Sequence, residues 1–223
     1  MVLRPYQFFA VERIIDKVKN SNHNGYIWHT TGSGKTLTSF KASQILSQLP
    51  KVDKVVFCVD RQDLDYQTAK EFNAFKPDCV DTTKNTKSLV NQFNDANNKL
   101  IVTTIQKLYN AITKEHHLKT MDNLKDKKIV FIFDECHRSQ FGDMHKMIVQ
   151  NFKNYHLFGF TGTPIFAKNA GRTTNPNFCT TEQAFGEKLH TYTIVDAIND
   201  GNVLPFRIDY INTIKAKEGM TDK

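Results

Sequence analysis

Two runs, "KVVFCV" at 54–59 and "KKIVFIF" at 127–133, constrain what this chain can fold into more than any other feature. A strand with one wet face alternates apolar and polar residues, because successive side chains point to opposite faces of the sheet. Past their leading lysines these runs do not alternate, so both faces need cover. "GYIWH" (25–29), "KLIVTT" (99–104) and "HLFGFTGTP" (156–164, ending at Pro164) read as further strands. Between them the apolar residues fall at helical spacing. The helical segments are "PYQFFAVERIIDKVK", with Pro5 suited to a first turn, "KTLTSFKASQILSQL", "QDLDYQTAKEFNAF" and "IQKLYNAI". Apolar strands separated by helices predict an α/β fold with a mostly parallel central sheet and helices on both faces. Further on, "KNAGRTTNPNFC" (168–179) reads as loop, "TIVDAINDG" as a short helix and "LPFRIDYI" as a last strand-like stretch before polar "KAKEGMTDK".

With 223 residues and 39% hydrophobic content the chain can bury one good core. Lys and Arg total 30 against 23 acidic residues, a net charge of +7 that suits either an acidic partner such as nucleic acid or a plain basic surface. Cys58, Cys79, Cys136 and Cys179 are scattered without a CxxC pair, which points to a reducing compartment and away from a disulfide framework. The longest apolar runs, "VVFCV" and "IVFIF", are far too short to cross a bilayer. Arg4 and Glu12 interrupt the N-terminal segment, so it is no signal peptide. The expectation is a cytoplasmic protein with no membrane partner.

"HTTGSGKT" (29–36) follows a strand and opens a helix, the context a phosphate-binding loop requires. Gly32 and Gly34 let the backbone of Thr31, Gly32, Ser33 and Gly34 turn so that successive N–H groups point at phosphate oxygens. The helix start near Lys35 adds partial positive charge. Lys35 then reaches the β- and γ-phosphates, and the Thr36 hydroxyl ligates Mg²⁺. One departure stands out, since the full pattern wants glycine where His29 stands.

"FDECHRSQFG" (133–142) places Asp134 at the carboxyl end of an apolar strand, where ligands of open α/β sheets gather. From there it can hold Mg²⁺ opposite Thr36, directly or through water. Glu135 can orient and deprotonate an attacking water as general base. A zinc site built from Asp134, Glu135, Cys136 and His137 is disfavoured, because four consecutive residues leaving a strand do not converge on one tetrahedral centre.

The ordered set "TGSGKT", "DECH" and "TGTP" resembles the motifs of superfamily-two helicases and translocases. The fuller wording, "VDRQDLDYQT", "DECHRSQFG", "GFTGTPIF" and "TYTIVDAINDGNVLPFRIDY", resembles the motor of the type I restriction enzyme R subunit, from Arg4 to about Asn212. The resemblance implies a RecA-like P-loop NTPase domain. Residues 1–212 would form the first RecA-like lobe, and 213–223 a linker or truncated end leading to a missing second lobe that supplies an arginine finger. ATP and Mg²⁺ are the implied cofactors. ATP hydrolysis would drive translocation of double-stranded DNA before cleavage, with modification and specificity subunits as partners, and one lobe alone would have little activity.

Residue by residue, the resemblance makes Gln7 of "RPYQ" the reader of the adenine edge, although by itself it is a glutamine on an amphipathic helix. Lys35, Thr36, Asp134 and Glu135 keep the roles already read for them, and His137 links the nucleotide site to "FTGTP". Thr161 and Thr163 would relay nucleotide state, with Thr163 equally suited to form a turn before Pro164. Arg61, Thr103, Thr104 and Gln106 would touch the DNA backbone without reading sequence. Arg61 could instead pair with Asp63 or Asp65, and the threonines could simply end a strand. Cys136 is assigned no chemistry. Two alternatives remain open: another superfamily-two motor, such as a type III restriction enzyme or repair helicase, and a binding module that senses ATP without cycling.

Overall fold

The elements follow in chain order as α1 (Pro5–Asn20), β1 (Gly25–His29), α2 (Lys35–Ser47), β2 (Lys54–Val59), α3 (Thr86–Asn94), β3 (Leu100–Thr104), α4 (Ile105–Thr113) and α5 (Glu115–Thr120). After a short 3-10 turn (Asp122–Leu124) come β4 (Ile129–Phe133), α6 (Phe141–Asn151), β5 (Tyr155–Thr161), α7 (Thr181–Phe185), β6 (Glu187–Tyr192) and α8 (Ile194–Asn199). The computed structural model describes residues 2–59, 72–73, 86–134, 136, 141–168 and 180–207.

Among the described residues six strands form one sheet in the order β3-β2-β4-β5-β1-β6, and every neighbouring pair is parallel. β2 and β4 lie inside it and are buried along their whole length, as their apolar runs require. The pleat divides them between two cores. Val55, Phe57, Val59, Val130 and Ile132 pack with Ala10, Val11 and Ile14 of α1 and Phe40 and Leu46 of α2. Val56, Cys58, Phe131 and Phe133 pack on the other face with Leu89 and Phe93 of α3, Leu108 and Ile112 of α4 and Ile148 of α6. Helices on both faces are thus what these two strands demand.

The leading lysine of β2 is not a surface residue. Lys54 is 4% exposed, and its Nζ donates to the carbonyls of Gln92 (3.1 Å), Asp95 (2.5 Å) and Asn98 (2.6 Å). An ammonium there satisfies carbonyls left open at the C-terminal end of α3.

Two expectations need correction. "LPFRIDYI" is not a strand over residues 204–207, where Leu204 and Phe206 are 85% and 62% exposed and Pro205 has no N–H to donate; the remainder of that stretch lies outside the described residues. A sixth strand is "EKLHTY", on the β1 edge of the sheet, where among the described residues only β1 pairs with it and polar residues are tolerated. β5 ends at Thr161 rather than Pro164, because the Thr161 Oγ1 accepts the Thr163 N–H at 3.1 Å and turns the chain. Of the helix expected over 62–75 only Phe72 and Asn73 are described; both are helical, and Phe72 is buried in the core. The rest of that helix and the loop over 169–179 lie outside the described residues.

Candidate functional site

In the sheet β4, β5 and β1 are consecutive neighbours, so the loops leaving their carboxyl ends meet. The loop after β1 is built as its glycines predict. Gly32 and Gly34 have φ of 78° and 74°, in the left-handed region, and α2 starts at Lys35 directly after Gly34. The Ser33 Oγ donates to the Thr30 carbonyl at 2.6 Å, and the Thr38 N–H and hydroxyl both donate to the Gly34 carbonyl. Gly34 is held on its other side as well: a Cβ there would sit 2.7 Å from Gln7 Nε2.

The loop meets the acidic strand end directly. The Thr36 hydroxyl donates to Asp134 Oδ2 at 2.5 Å, across 98 positions of sequence. Asp134 and Lys35 are almost fully buried, at 2% and 6% exposure. The Asp134 N–H extends the β4–β2 ladder by donating to the Cys58 carbonyl. Two oxygen donors in contact, one of them a buried carboxylate, are the hard ligands that Mg²⁺ prefers. From β5, Gly162 closes the third side. A Cβ on it would lie 3.3 Å from the His29 carbonyl oxygen and from Thr31 Oγ1, and 3.4 Å from Lys35 Nζ. The glycine of "TGT" is thus a close-approach position between two motifs, and that spacing only appears in three dimensions.

Gln7 is buried and its amide is used twice. Oε1 accepts the Arg4 N–H at 2.9 Å, and Nε2 donates to the Ser33 carbonyl at 3.0 Å. Tyr6 donates its hydroxyl to the same carbonyl at 2.9 Å. The "RPYQ" segment therefore grips the phosphate loop from behind. His29, the departure from the glycine pattern, ends β1 with its ring fully buried, edge-on to Tyr6 and Tyr192 and 2.9 Å from His190 Nδ1 on β6. Burial, then the neighbouring His190 and Lys35, hold its pKa down at about 3, so the ring stays neutral. That side chain packs toward β6, which explains how the loop tolerates it.

The remaining sequence candidates divide. Thr161 is buried and Thr163 exposed. Thr103 is fully buried with its hydroxyl unpaired, and Thr104 accepts the Lys107 N–H as N-cap of α4. As placed, neither threonine presents its hydroxyl outward, whereas Gln106 is exposed. Glu135, His137 and Arg61 lie outside the described residues. Cys136 is buried, with its Sγ against Gly159, where a Cβ would approach to 2.6 Å. Its N–H donates to the Phe160 carbonyl, so its part is to carry the pairing of β4 with β5 one step further. Arg4, Tyr6, Gly162, Tyr192 and Asn202 were not singled out as site residues by sequence reasoning, although each lies in a string that carried the resemblance: "RPYQ", "TGTP" or "TYTIVDAINDGNVLPFRIDY".

A family model described as SWI2/SNF2 ATPase matches residues 6–223. The chain is 58% identical over 217 residues to a type I restriction enzyme endonuclease subunit of Staphylococcus aureus strain MSSA476, covering 97% of this chain and 23% of that one. It therefore spans about a quarter of the length of such relatives. A putative type I restriction enzyme endonuclease subunit, C-terminal part, of Mycoplasma pneumoniae is 50% identical over 163 residues, covering 68% of this chain and 79% of that one. Among solved structures, a DNA-bound ATP-dependent type ISP restriction-modification enzyme, LlaBIII, aligns with a TM-score of 0.60 at 19% identity over 90% of this chain and 16% of that one. The Sulfolobus solfataricus SWI2/SNF2 ATPase core, in complex with double-stranded DNA, aligns with a TM-score of 0.52 at 19% identity over 74% of this chain and 33% of that one. At such identities these two share the fold.

Proposed function

The chain belongs to the SWI2/SNF2 ATPase family, and from that premise we propose that it is the ATP-binding first motor lobe of a type I restriction endonuclease subunit. The observation that carries this reading is the 2.5 Å contact between Thr36 of the phosphate loop and Asp134 at the end of β4. Lys35 takes the β- and γ-phosphates while the loop N–H groups cradle them. Thr36 and Asp134 hold Mg²⁺, which when bound neutralises charge on the phosphates. Asp134 is committed to Thr36, which leaves the adjacent Glu135 to orient the attacking water and accept its proton. Gln7 reads the adenine edge, exchanging one of its internal contacts to do so. His137, Thr161 and Thr163 couple the nucleotide to the track.

The track is the backbone of double-stranded DNA, and the work is ATP-driven translocation ahead of cleavage, in the cytoplasm, with modification and specificity subunits as partners. Gln106, exposed on α4, and Arg61 contact that backbone. A second lobe contributes an arginine to the transition state. Calorimetric titration of ATP in Mg²⁺ buffer tests the site: Lys35→Ala should weaken binding at least about tenfold, and phosphate release with duplex DNA should stay slow. Unchanged ATP affinity in that variant would sink the reading.

A further inference from the structure

Beside the phosphate loop lies a cavity of about 180 Å³. That is well below the 300–1,000 Å³ of pockets holding a whole drug-sized ligand, and it suits one flat heterocycle. One wall comes from Arg4, from Tyr6 and Gln7 of α1 and from Thr30 to Gly34. The other comes from the far end of the chain: Tyr192 of β6, Ala197 of α8, and Asn202 and Val203 beyond it. All four lie in "TYTIVDAINDGNVLPFRIDY", a string that carried the resemblance but to which no site role was given.

The second wall is built to a specification. α8 ends in a Schellman motif: the Gly201 N–H donates to the Ile198 carbonyl and the Asn202 N–H to the Ala197 carbonyl, with Gly201 at φ 67°. That cap delivers the Asn202 amide to the cavity. Its Oδ1 accepts from Arg4 Nη1, and its Nδ2 donates to the Tyr192 hydroxyl at 2.7 Å. The Tyr192 hydroxyl in turn donates to Asp200 Oδ2 at 3.0 Å. The Tyr192 ring lies flat against Tyr6, with centroids 3.6 Å apart and planes 6° from parallel. Both groups on the first wall that offer a flat surface, the Arg4 guanidinium and the Tyr6 ring, are therefore held by the second. Arg4 is exposed and Asn202 is exposed, so without this contact nothing described would fix the guanidinium plane.

We propose that Tyr192 and Asn202 complete the base subsite of the nucleotide pocket as positioning residues, Tyr192 fixing the Tyr6 ring and Asn202 fixing the Arg4 guanidinium for stacking on a purine. The proposal rests on the ATP reading above and adds to it the segment that distinguishes a nucleoside from a bare polyphosphate. A base stacks on a planar cation or an aromatic face only if that plane is held. Polyphosphate, bound by the loop and Lys35, does not need it.

The test is calorimetric titration of the 223-residue chain in Mg²⁺ with ATP, CTP and inorganic tripolyphosphate. Asn202→Ala should weaken ATP about tenfold, the size expected for losing a charge-assisted contact, and shrink the preference for ATP over CTP. Tripolyphosphate affinity should move less than about twofold, within the spread of independent sites. Because Tyr192 is buried, the second variant is Tyr192→Phe, which keeps the ring but releases Asn202 and should give a smaller loss with the same pattern. Equal losses for ATP and tripolyphosphate, or no loss for ATP, would overturn the proposal. If Lys35→Ala leaves both ligands bound as in the parent chain, the ATP site itself has failed, and the base subsite with it; Lys35→Ala losing both while Asn202→Ala loses neither rejects the subsite alone.

Discussion

At the carboxyl ends of β1, β5 and β4 the polar side chains face one another across loops, whereas at the end of β3 they turn back into the chain that carries them. Thr36 reaches Asp134, Gln7 reaches Ser33, and Gly162 abuts the phosphate loop. Thr103 is buried with an unpaired hydroxyl and Thr104 caps α4. All of these residues sit where an open α/β sheet gathers its ligands. The difference is that the first group occupies neighbouring strands whose loops converge, while Thr103 and Thr104 are at the outer edge, with no loop opposite them among the described residues. A polar residue at a strand end is therefore read as a site residue only when a second element meets it.

Three experiments can break this contrast, in order of expected effect. Gly34→Ala should be the most damaging, because it strains a left-handed residue and pushes a Cβ to 2.7 Å from Gln7 Nε2. We expect a stability loss of about 1–2 kcal/mol from the backbone alone and a clear drop in ATP affinity, seen by urea melts and calorimetry. An unaffected variant would mean the loop is not held as described.

Acidification comes next. His29 has a folded pKa of about 3 against an ordinary 6.5, so the unfolded chain takes up a proton that the folded chain refuses. Its contribution is complete above pH 6.5 and lost as pH falls toward 3, by about 1.4 kcal/mol per pH unit. The melting temperature should fall between pH 7 and 5, and His29→Gln should make that slope shallower. An identical slope would remove His29 as the acid-sensitive point of the phosphate-loop half.

The smallest effects belong to β3. Thr104→Ala should cost about 1 kcal/mol through loss of the N-cap and leave ATP affinity alone. Thr103→Val should be close to neutral or slightly stabilising, since it replaces an unpaired buried hydroxyl by a methyl group of the same shape. A large loss of DNA affinity in Thr103→Val, with stability intact, would show that the β3 end opens toward the track.

Much of the fold was legible because the signals were local. Continuous apolar runs announced β2 and β4, and two glycines before "KT" announced a turn into a helix. The elements that escaped were those whose stability is borrowed. β6 tolerates polar residues at the edge of the described sheet, with β1 its one described neighbour, and α6 and α7 are held by the sheet they cover. In the candidate site, Lys35, Thr36 and Asp134 stood out from their strings alone, and the fold brings Thr36 and Asp134 together. Tyr192 and Asn202 did not, for nothing near them in sequence says that Arg4 and Tyr6 lie opposite.

By itself, then, the sequence determined the parallel α/β class, the conformation of the phosphate loop and the identity of its charged partners, because strand burial and glycine dihedrals are properties of a few adjacent residues. Tertiary structure alone decided which strand ends meet to form the candidate site. The sheet order sets β5 between β4 and β1, brings Thr36 to Asp134, leaves Thr103 sealed in a core, and folds the Asn202 turn back onto Arg4. Contacts across 98 or 198 positions depend on the packing of the whole sheet, and no local pattern encodes them.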